Sequence, residues 1–397
     1  MHITCISILT PTAENKRGAS ALSFHLAKYR PEGTSLSIYT YNINNIESKE
    51  ITTIEKELNC KITTLPLPWW WHVIIKLKLI RAILRFPFAG YLKLPKEIAK
   101  EITDDKPDGI WVNGEEMWHI CFQFPNYKCV HTLPDCESLY YKRCLDLKEK
   151  LSPNLRPRNN QIMWNKYRRM ERHLRKGTIC HLVGEADAKE LQTLNQNITA
   201  AFIRHPHYDI SPTPKAIHFN DTIKILIAGQ NNIYMQYEAE QLVAALCNTN
   251  SFQEKYYFTF LGKGWEKHVS IMRNSGYNVE HITFAPSYLE EIIKHDIQIT
   301  PITIGTGTKG KVLDALANGL LVIGTPYALE NIAVEHNDSC IIYNYPKDVI
   351  NFLEDITNNR SKYEKMAEKG RQMVLTEHGR TKNSSIFFNL FAYNTLN

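Results

Sequence analysis

The chain has 397 residues, of which 43% are apolar and 22% are charged, and its formal net charge is +6 at pH 7. This composition excludes a disordered chain, and the length exceeds what one hydrophobic core normally supports, so two domains are expected. The positive charge favours anionic partners such as nucleotides, phospholipid surfaces or nucleic acid, without choosing among them.

The first half of the chain alternates short apolar, β-branched runs with helical patterns. Strands are predicted at Ile3–Leu9, Ser35–Tyr41, Gly109–Val112, Lys128–Thr132, Thr178–Val183 and Ala200–Arg204. Helices are predicted near Ala19–Tyr29 and Ala186–Leu194. The alternation is typical of parallel strands whose sheet is covered by helices on both faces.

After a polar, proline-containing stretch at about residues 208–220, the same alternation begins again. Strands are predicted at Ile223–Ala228, Tyr257–Leu261, Val279–Thr283, Ile297–Ile302, Leu321–Gly324 and Cys340–Tyr343. Helices are predicted at Tyr237–Cys247, Tyr288–Lys294, Val312–Asn318, Val349–Asn358 and Arg360–Leu375. A further helix is predicted after Gly264 and ends at about Ser275.

The two series predict an α/β fold with two Rossmann-like, doubly wound domains, residues 1–208 and 209–379. A final helix near Lys382–Tyr393 follows the breaker pair His378-Gly379, and residues 380–397 are expected to complete the first domain. In such sheets ligands bind beyond the carboxyl ends of the strands, so the loops at that edge are the candidate sites.

The nine cysteines are scattered, odd in number and without a C-x-x-C pair, which indicates reduced thiols and a cytosolic protein. The N-terminal stretch lacks the basic and long apolar regions of a signal peptide and is interpreted as a first strand. No run of about 18 apolar residues occurs, so no transmembrane helix is expected.

The stretch "GTGTKGKVLDALANG", residues 305–319, places three glycines and two lysines ahead of a predicted helix. Glycine lets the backbone approach a ligand closely, lysine brings positive charge, and a helix start offers free backbone N–H groups. The stretch therefore predicts a phosphate site, and the alternative is an ordinary turn from strand to helix.

This motif, together with the two Rossmann-like domains, resembles the GT-B glycosyltransferases, and in particular the family 4 (group 1) bacterial sugar transferases. The matching positions are Pro301, Gly305, Thr306, Gly307, Lys309, Lys311, Val312, Leu313, Ala315, Leu316, Ala317, Gly319, Val322, Ile323 and Thr325. The chain departs from the family pattern where its two glutamates would stand, at Thr306 and Asp314, and it has no basic residue after the first strand of the second domain.

The resemblance implies two domains facing a cleft and transfer of a sugar from a nucleoside diphosphate donor, with retention of configuration. The implied donor-binding residues are Gly229, Gln230, Gly262, Thr283, Phe284, Gly305, Thr306, Gly307, Thr308, Lys309, Lys311 and Asp314. Lys309 is the expected phosphate cation and Asp314 the expected ribose acceptor. Lys311 can instead be a packing lysine, and Asp314 an acid favoured by the start of a helix.

On the acceptor side the resemblance points to His131 and Asp135 as catalytic candidates, in the loop after a predicted strand. Glu115 and Glu116 are a second acidic pair, and Gly18 stands where relatives have paired glycines. The alternatives are a buried core histidine and solvated loop acids. The resemblance implies that no metal and no cofactor are needed. His205 and His207 are a weak metal signal, because they lack further ligands nearby, and no D-x-D motif occurs in a suitable loop.

The segment Trp69–Lys93 combines three consecutive tryptophans with an apolar run that carries Lys76, Lys78, Arg81 and Arg85. This composition suits the headgroup boundary of an anionic membrane, and the alternative is a buried helix. A second basic block at residues 155–177 either binds phosphate or forms a solvated helix face.

The sequence thus predicts a cytoplasmic enzyme, peripheral to the inner face of the membrane, that glycosylates a glycan or lipid-linked acceptor for a surface polysaccharide, lipopolysaccharide or glycolipid. Rival interpretations are a nucleotide-sugar epimerase, a nucleic-acid-binding protein and a non-catalytic relative. Nucleic acid is not the expected partner, since no helix-turn-helix, RRM or zinc-finger pattern occurs.

Overall fold

A computed structural model describes residues 1–16, 19–77, 83–147, 157–213, 215–249 and 251–392. They form two compact units. Unit 1 consists of Met1–Leu145, Arg156–Tyr208 and the segment that begins at Arg380, and unit 2 consists mainly of Asp209–Gly379. The guanidinium of Arg380 donates to the carbonyl oxygen of Tyr208 at 2.9 Å, which joins the two points where the chain leaves and re-enters unit 1.

Unit 1 is built on a parallel sheet of seven described strands in the order β3-β2-β1-β4-β5-β6-β7. The strands are β1 His2–Ser7, β2 Ser35–Thr40, β3 Lys61–Thr64, β4 Gly109–Asn113, β5 Cys129–Thr132, β6 Ile179–Leu182 and β7 Thr199–Phe202. The helices are α1 Ala21–Lys28, α2 Ser48–Leu58, α3 Trp69–Lys76, α4 Lys96–Asp104, α5 Ile120–Gln123, α6 Glu137–Asp146, α7 Pro157–Arg172 and α8 Glu185–Leu194, with a 3₁₀ turn at Phe88–Tyr91. The central strands β1, β4, β5 and β6 are almost wholly buried, as expected for a parallel sheet that is covered on both faces.

Unit 2 has a second parallel sheet, of six described strands in the order β10-β9-β8-β11-β12-β13. The strands are β8 Ile223–Ala228, β9 Tyr256–Leu261, β10 Asn278–Ile282, β11 Ile297–Thr300, β12 Leu321–Gly324 and β13 Ile341–Ile342. The helices are α9 Gln236–Cys247, α10 Glu266–Asn274, α11 Tyr288–Ile292, α12 Gly310–Ala317, α13 Pro326–Leu329, α14 Pro346–Asn358 and α15 Arg360–Glu377.

The last helix, α16 at Arg380–Ala392, packs into the core of unit 1. Phe387 is fully buried, and its ring centroid lies 4.8 Å from that of Trp111 on β4. Phe391 lies so close to Gly109 that a Cβ at Gly109 would be 2.5 Å from its ring. The glycine at the start of β4 is therefore what lets α16 approach the sheet.

The predicted strands are present to within a few residues. The sequence analysis missed strand β3 and helices α2, α4, α5, α6 and α13. Helix α2 buries only Ile51, Ile54 and Leu58, and β3 is four residues long, so neither gives a strong apolar pattern. None of the described helices combines the length and apolar character needed to cross a bilayer.

Replacing Phe387 with alanine should destabilise unit 1 by about 3–5 kcal/mol, because it removes a fully buried ring from a packed core. All tryptophans except Trp265 lie in unit 1, so intrinsic fluorescence during urea unfolding reports mainly on that unit. The control is Ile386→Ala on the same helix, where the side chain is 42% exposed and the cost should stay within about 0.5 kcal/mol. Equal midpoints for the two variants would contradict the packing role of α16.

Candidate functional site

The strand order of unit 2 reverses between β8 and β11, which run side by side at the centre of the sheet. At such a switch point the loops that leave the two strands diverge and open a crevice at the carboxyl edge. The loop after β8 begins with Gly229 and the exposed Gln230, and the loop after β11 contains the glycine-rich motif. Topology alone therefore brings these two predicted segments to one place.

The loops after β8 and β9 are locked together by their backbones. Gly262 has a φ of +132°, and a Cβ there would lie 2.2 Å from the carbonyl oxygen of Gly229. That same oxygen accepts a hydrogen bond of 2.8 Å from the buried indole of Trp265. The glycine at position 262 thus allows the backbones of the two loops to lie in contact. This contact and the Trp265 hydrogen bond fix the loop that carries Gln230.

The glycine-rich loop ends with Lys309 as the residue that caps the N-terminus of α12. Its side chain folds back over Gly305, and its ammonium donates to the carbonyl oxygens of Thr306, at 2.5 Å, and Gly307, at 3.2 Å. Asn331 also donates to the Gly307 carbonyl at 2.9 Å. The positive charge therefore lies within the loop, at the end of the helix where an anion would be favoured.

Below this loop Lys311 and Asp314 lie together with Tyr288, a residue that the sequence analysis did not single out. The ammonium of Lys311 is 5.1 Å from the ring centroid of Tyr288. The Tyr288 hydroxyl lies 2.9 Å from Oε1 of the fully buried Gln298. Burial and then the negative charge of Asp314 raise the pKa of Tyr288 well above its usual value.

Thr283 and Phe284 follow β10 directly, at the same edge of the unit 2 sheet. The Phe284 side chain is 78% exposed. An exposed ring at the carboxyl edge offers a flat apolar face, and a nucleobase can stack on such a face.

In unit 1 the loops after β4 and β5 bring three carboxylates together. Glu115, Asp135 and Glu137 each have an oxygen within 4.8 Å of an oxygen of the other two. Withdrawal from water and then the charges of Asp135 and Glu116 raise the pKa of Glu115 to about 8. The three oxygens could also hold a divalent cation, which prefers such ligands.

Glu116 has a different position from its neighbour, because both of its oxygens are bonded within the protein. Oε2 accepts from the backbone N–H of Ala89 at 2.8 Å, and Oε1 accepts from the hydroxyl of Tyr167 at 2.6 Å. Glu116 therefore fastens the 3₁₀ turn and α7 to the end of β4. An acceptor hydroxyl at Glu116, as predicted, would share these oxygens with the two protein donors, since each carboxylate oxygen has a second lone pair.

His131 lies inside the sheet of unit 1 and is fully buried. Its Nε2 is bonded to the carbonyl oxygen of Gly114 at 2.8 Å, and burial lowers its pKa to about 4. This position is the one expected for the alternative of a core histidine, and the catalytic role of His131 stays a prediction. Gly18 lies outside the described residues.

A cavity of about 480 Å³ opens at the carboxyl edge of unit 1, where the strand order reverses between β1 and β4. Its lining residues come from the loops after β1, β2, β4 and β5 and from α3 and the 3₁₀ turn, and are Ile8, Leu9, Ala19, Ile43, Trp71, Ile75, Phe88, Ala89, Asn113, Gly114, Glu115, Glu116 and Pro134. Glu115 belongs both to this cavity and to the carboxylate cluster.

Residues 238–383, which contain the glycine-rich loop, match a family described as glycosyl transferase-like (Glyco_trans_1_2). The fold is similar to that of HepE from Anabaena in complex with UDP-glucose, at 11% identity, with 98% of this chain and 99% of that chain covered and a TM-score of 0.62. Sucrose-phosphate synthase from Thermosynechococcus elongatus is similar at 12% identity, over 99% and 98% of the two chains, with a TM-score of 0.63.

The structure of WaaG, a glycosyltransferase involved in lipopolysaccharide biosynthesis, is similar at 12% identity, over 97% of this chain and 99% of that chain, with a TM-score of 0.56. No curated protein matches the chain by sequence. The chain therefore has the GT-B fold of these structures, and residues 238–383 match the glycosyl transferase-like family. The predicted fold and the resemblance to group 1 sugar transferases are confirmed.

Within this GT-B protein, sequence reasoning missed Glu137, Glu171 and Tyr288. Glu171 is 1% exposed and accepts from the backbone N–H of Ser138 at 3.1 Å, beside Glu137 at the start of α6. A signal was present in the sequence, since Glu171 is the only acid in the basic stretch "YRRMERHLRK". Glu137 stands two residues after the predicted Asp135.

The raised pKa of Glu115 predicts a pH dependence of the stability of unit 1. The folded state holds this proton up to about pH 8, whereas the unfolded carboxyl loses it near 4.3, so the folded state loses stability as pH rises between these values. Glu115→Gln should remove that loss and raise the melting temperature at pH 8.5 more than at pH 5.

Differential scanning fluorimetry across this pH range measures the effect. The exposed Glu32 of the same unit gives the control variant Glu32→Gln, which should keep the slope of the unaltered protein. If Glu115→Gln and the unaltered protein lose stability in parallel, the carboxylate cluster does not hold the extra proton.

Proposed function

We propose that this protein transfers a sugar from a nucleoside diphosphate donor to a hydroxyl of a glycan or lipid-linked acceptor, in the synthesis of a surface polysaccharide, lipopolysaccharide or glycolipid. The observation that carries the proposal is the glycine-rich loop at the switch point of unit 2, where it runs into α12 inside the segment that matches the glycosyl transferase-like family. A nucleoside diphosphate is the donor class that an anion seat of this kind accepts.

The leaving group of this reaction is a nucleoside diphosphate on which negative charge develops. N–H groups at the start of α12 and the ammonium of Lys309 stabilise that charge, and one fixed donor of this type contributes about 3–4 kcal/mol. The carbonyl contacts of Lys309 hold its ammonium at the loop, and phosphate oxygens compete for it when the donor binds. In the proposed site Asp314 accepts ribose hydroxyls and Phe284 stacks on the base.

The proposed step forms a bond between the acceptor hydroxyl oxygen and the anomeric carbon. The bond from that carbon to the phosphate oxygen breaks, its electron pair leaves with the nucleoside diphosphate, and the acceptor proton passes to the departing phosphate oxygen. This course retains configuration and needs no metal, as the resemblance to group 1 enzymes implies. HepE was crystallised with UDP and UDP-glucose, so uridine nucleotides are the first candidates for this chain.

Lys309→Ala should lower the transfer rate by about 10²–10³-fold, because it removes the cation that faces the leaving diphosphate. A thermal-shift screen with UDP, GDP, CMP and ADP first identifies the nucleotide, and release of that nucleoside diphosphate from its sugar is then measured in EDTA. Lys309→Arg, which keeps the charge, should restore part of the rate.

The exposed Lys255 of the same unit supplies the control Lys255→Ala, which should transfer at the unaltered rate. Unchanged transfer by Lys309→Ala would remove the phosphate assignment. If no nucleotide shifts the melting temperature and no sugar is released, the proposed function itself fails.

We also propose that unit 1 docks on an anionic membrane on the cytoplasmic side through a surface formed by Trp69, Val73, Leu77 and Ile83, which we call the α3 surface. These apolar side chains are 79%, 45%, 43% and 82% exposed. Lys78 and Arg81 lie outside the described residues.

Exposed cations accompany the α3 surface along the chain. Lys76 ends α3, and the basic helix α7 lies beside Arg85, two residues after Ile83, because Arg169 donates to the backbone carbonyl of Arg85 at 3.1 Å. Exposed indole and aliphatic groups flanked by cations suit the interface of an anionic bilayer, where each cation contributes about 1 kcal/mol.

Trp69→Ser should weaken binding to vesicles of phosphatidylglycerol and phosphatidylcholine by about tenfold, since it removes the most exposed indole from the interface. Co-sedimentation with the vesicles measures this change, and binding should fall further in 0.5 M salt. The control is Ile386→Ser, at an exposed apolar residue of α16, a helix that packs into a different hydrophobic cluster from α3. Equal binding by the two variants would remove the α3 surface as the docking site.

A further inference from the structure

Helix α3 presents two faces with different surroundings. Trp71 and Ile75, four residues apart, line the cavity of unit 1. Trp69 and Val73, also four residues apart, do not line it and belong to the α3 surface. Residues with this spacing share one face of a helix, so the same helix forms a wall of the cavity and part of the exposed apolar surface.

The cavity has an apolar wall that is held firmly in place. The rings of Trp71 and Phe88 pack with their centroids 4.2 Å apart. The turn that carries Phe88 is fastened by the bond from Ala89 to Glu116, so the wall is tied to the end of β4. Since Ile75 lines the cavity and is still 45% exposed, the mouth of the cavity lies beside α3.

The opposite part of the cavity is polar and acidic. Asn113 and Glu115 line it, and Asp135 and Glu137 lie within 4.8 Å of Glu115. Carboxyl and amide oxygens accept hydrogen bonds from hydroxyl groups, whereas neither group supplies the positive charge that binds a phosphate. The volume of about 480 Å³ falls within the range of about 300–1,000 Å³ that is usual for small-ligand sites.

We infer that this cavity is the subsite for an amphiphilic acceptor, whose hydroxyl-bearing head lies against Asn113 and Glu115 and whose adjoining apolar part lies along Trp71 and Ile75. This inference rests on the proposed function and narrows its acceptor from glycans in general to molecules with an apolar substituent next to the sugar. The acceptor enters from the lipid surface at the mouth beside α3. The covalent step is the one given above, with the acceptor hydroxyl supplied by the head group.

The chain offers a matched pair of variants on α3. Val73 and Ile75 are both 45% exposed, so Val73→Asn and Ile75→Asn remove similar apolar groups from one helix at little cost to folding. Of these two residues, Ile75 lines the cavity and Val73 does not. The probes are methyl and octyl glycosides of glucose, galactose, mannose and N-acetylglucosamine, kept below their micelle concentration, with the donor identified by the nucleotide screen.

The unaltered protein should use the preferred octyl glycoside with a KM about tenfold below that of its methyl counterpart, since the apolar wall binds the chain. Ile75→Asn should raise the KM for the octyl acceptor about tenfold, with kcat and the methyl acceptor unchanged. Val73→Asn should leave both KM values unchanged and weaken only vesicle binding.

Equal KM values for methyl and octyl acceptors with the unaltered protein would overturn the inference, and this comparison needs no variant to fold. An equal effect of Val73→Asn and Ile75→Asn on the octyl KM would overturn it as well. In both cases the donor is still consumed, so the proposed function stands. If no nucleotide binds and no donor is consumed with any acceptor, the proposed function fails, and the inference fails with it.

Discussion

A parallel sheet places the carboxyl ends of its strands along one edge, and both candidate sites depend on this constraint. In each unit the strand order reverses once, between β1 and β4 or between β8 and β11, and the loops on either side diverge there. The backbone N–H and C=O groups in those loops no longer bond to a neighbouring strand, and no helix in the described part of the chain covers them. The edge is therefore the place where glycines and polar side chains can face a ligand without disturbing the core.

Much of this arrangement could be predicted from sequence. Buried parallel strands are continuous β-branched runs, and their order along the chain gives the fold class and the edge at which loops such as Gly305–Lys309 must lie. Helix α2 and strand β3 were not predicted. The helix buries only three residues and the strand is four residues long, so neither gives a clear apolar pattern. The contact between Gly262 and Gly229 was not predicted either, since it joins two loops that are distant in sequence.

Side-chain roles were harder to predict, because they depend on partners from other elements. Glu115 and Glu116 are adjacent in sequence, yet one lies among carboxylates and the other is bonded to Ala89 and Tyr167. Both residues lie in the turn after β4, where the chain changes direction, so neighbours can have unrelated surroundings. His131 illustrates the same limit, since the burial of its ring on β5 depends on the elements that pack around that strand.

The charges at the two edges differ, and this difference supports the proposed placement of the donor in unit 2 and the acceptor in unit 1. The edge of unit 2 offers glycine backbone, a helix N-terminus and the ammonium of Lys309, all of which favour a diphosphate. The edge of unit 1 gathers Glu115, Asp135 and Glu137, and burial followed by the charges of Asp135 and Glu116 raises the pKa of Glu115. A diphosphate brought to these carboxylates would add further negative charge, whereas sugar hydroxyls donate hydrogen bonds to them. Electrostatics alone therefore favours a donor in unit 2 and a hydroxyl-bearing acceptor in unit 1.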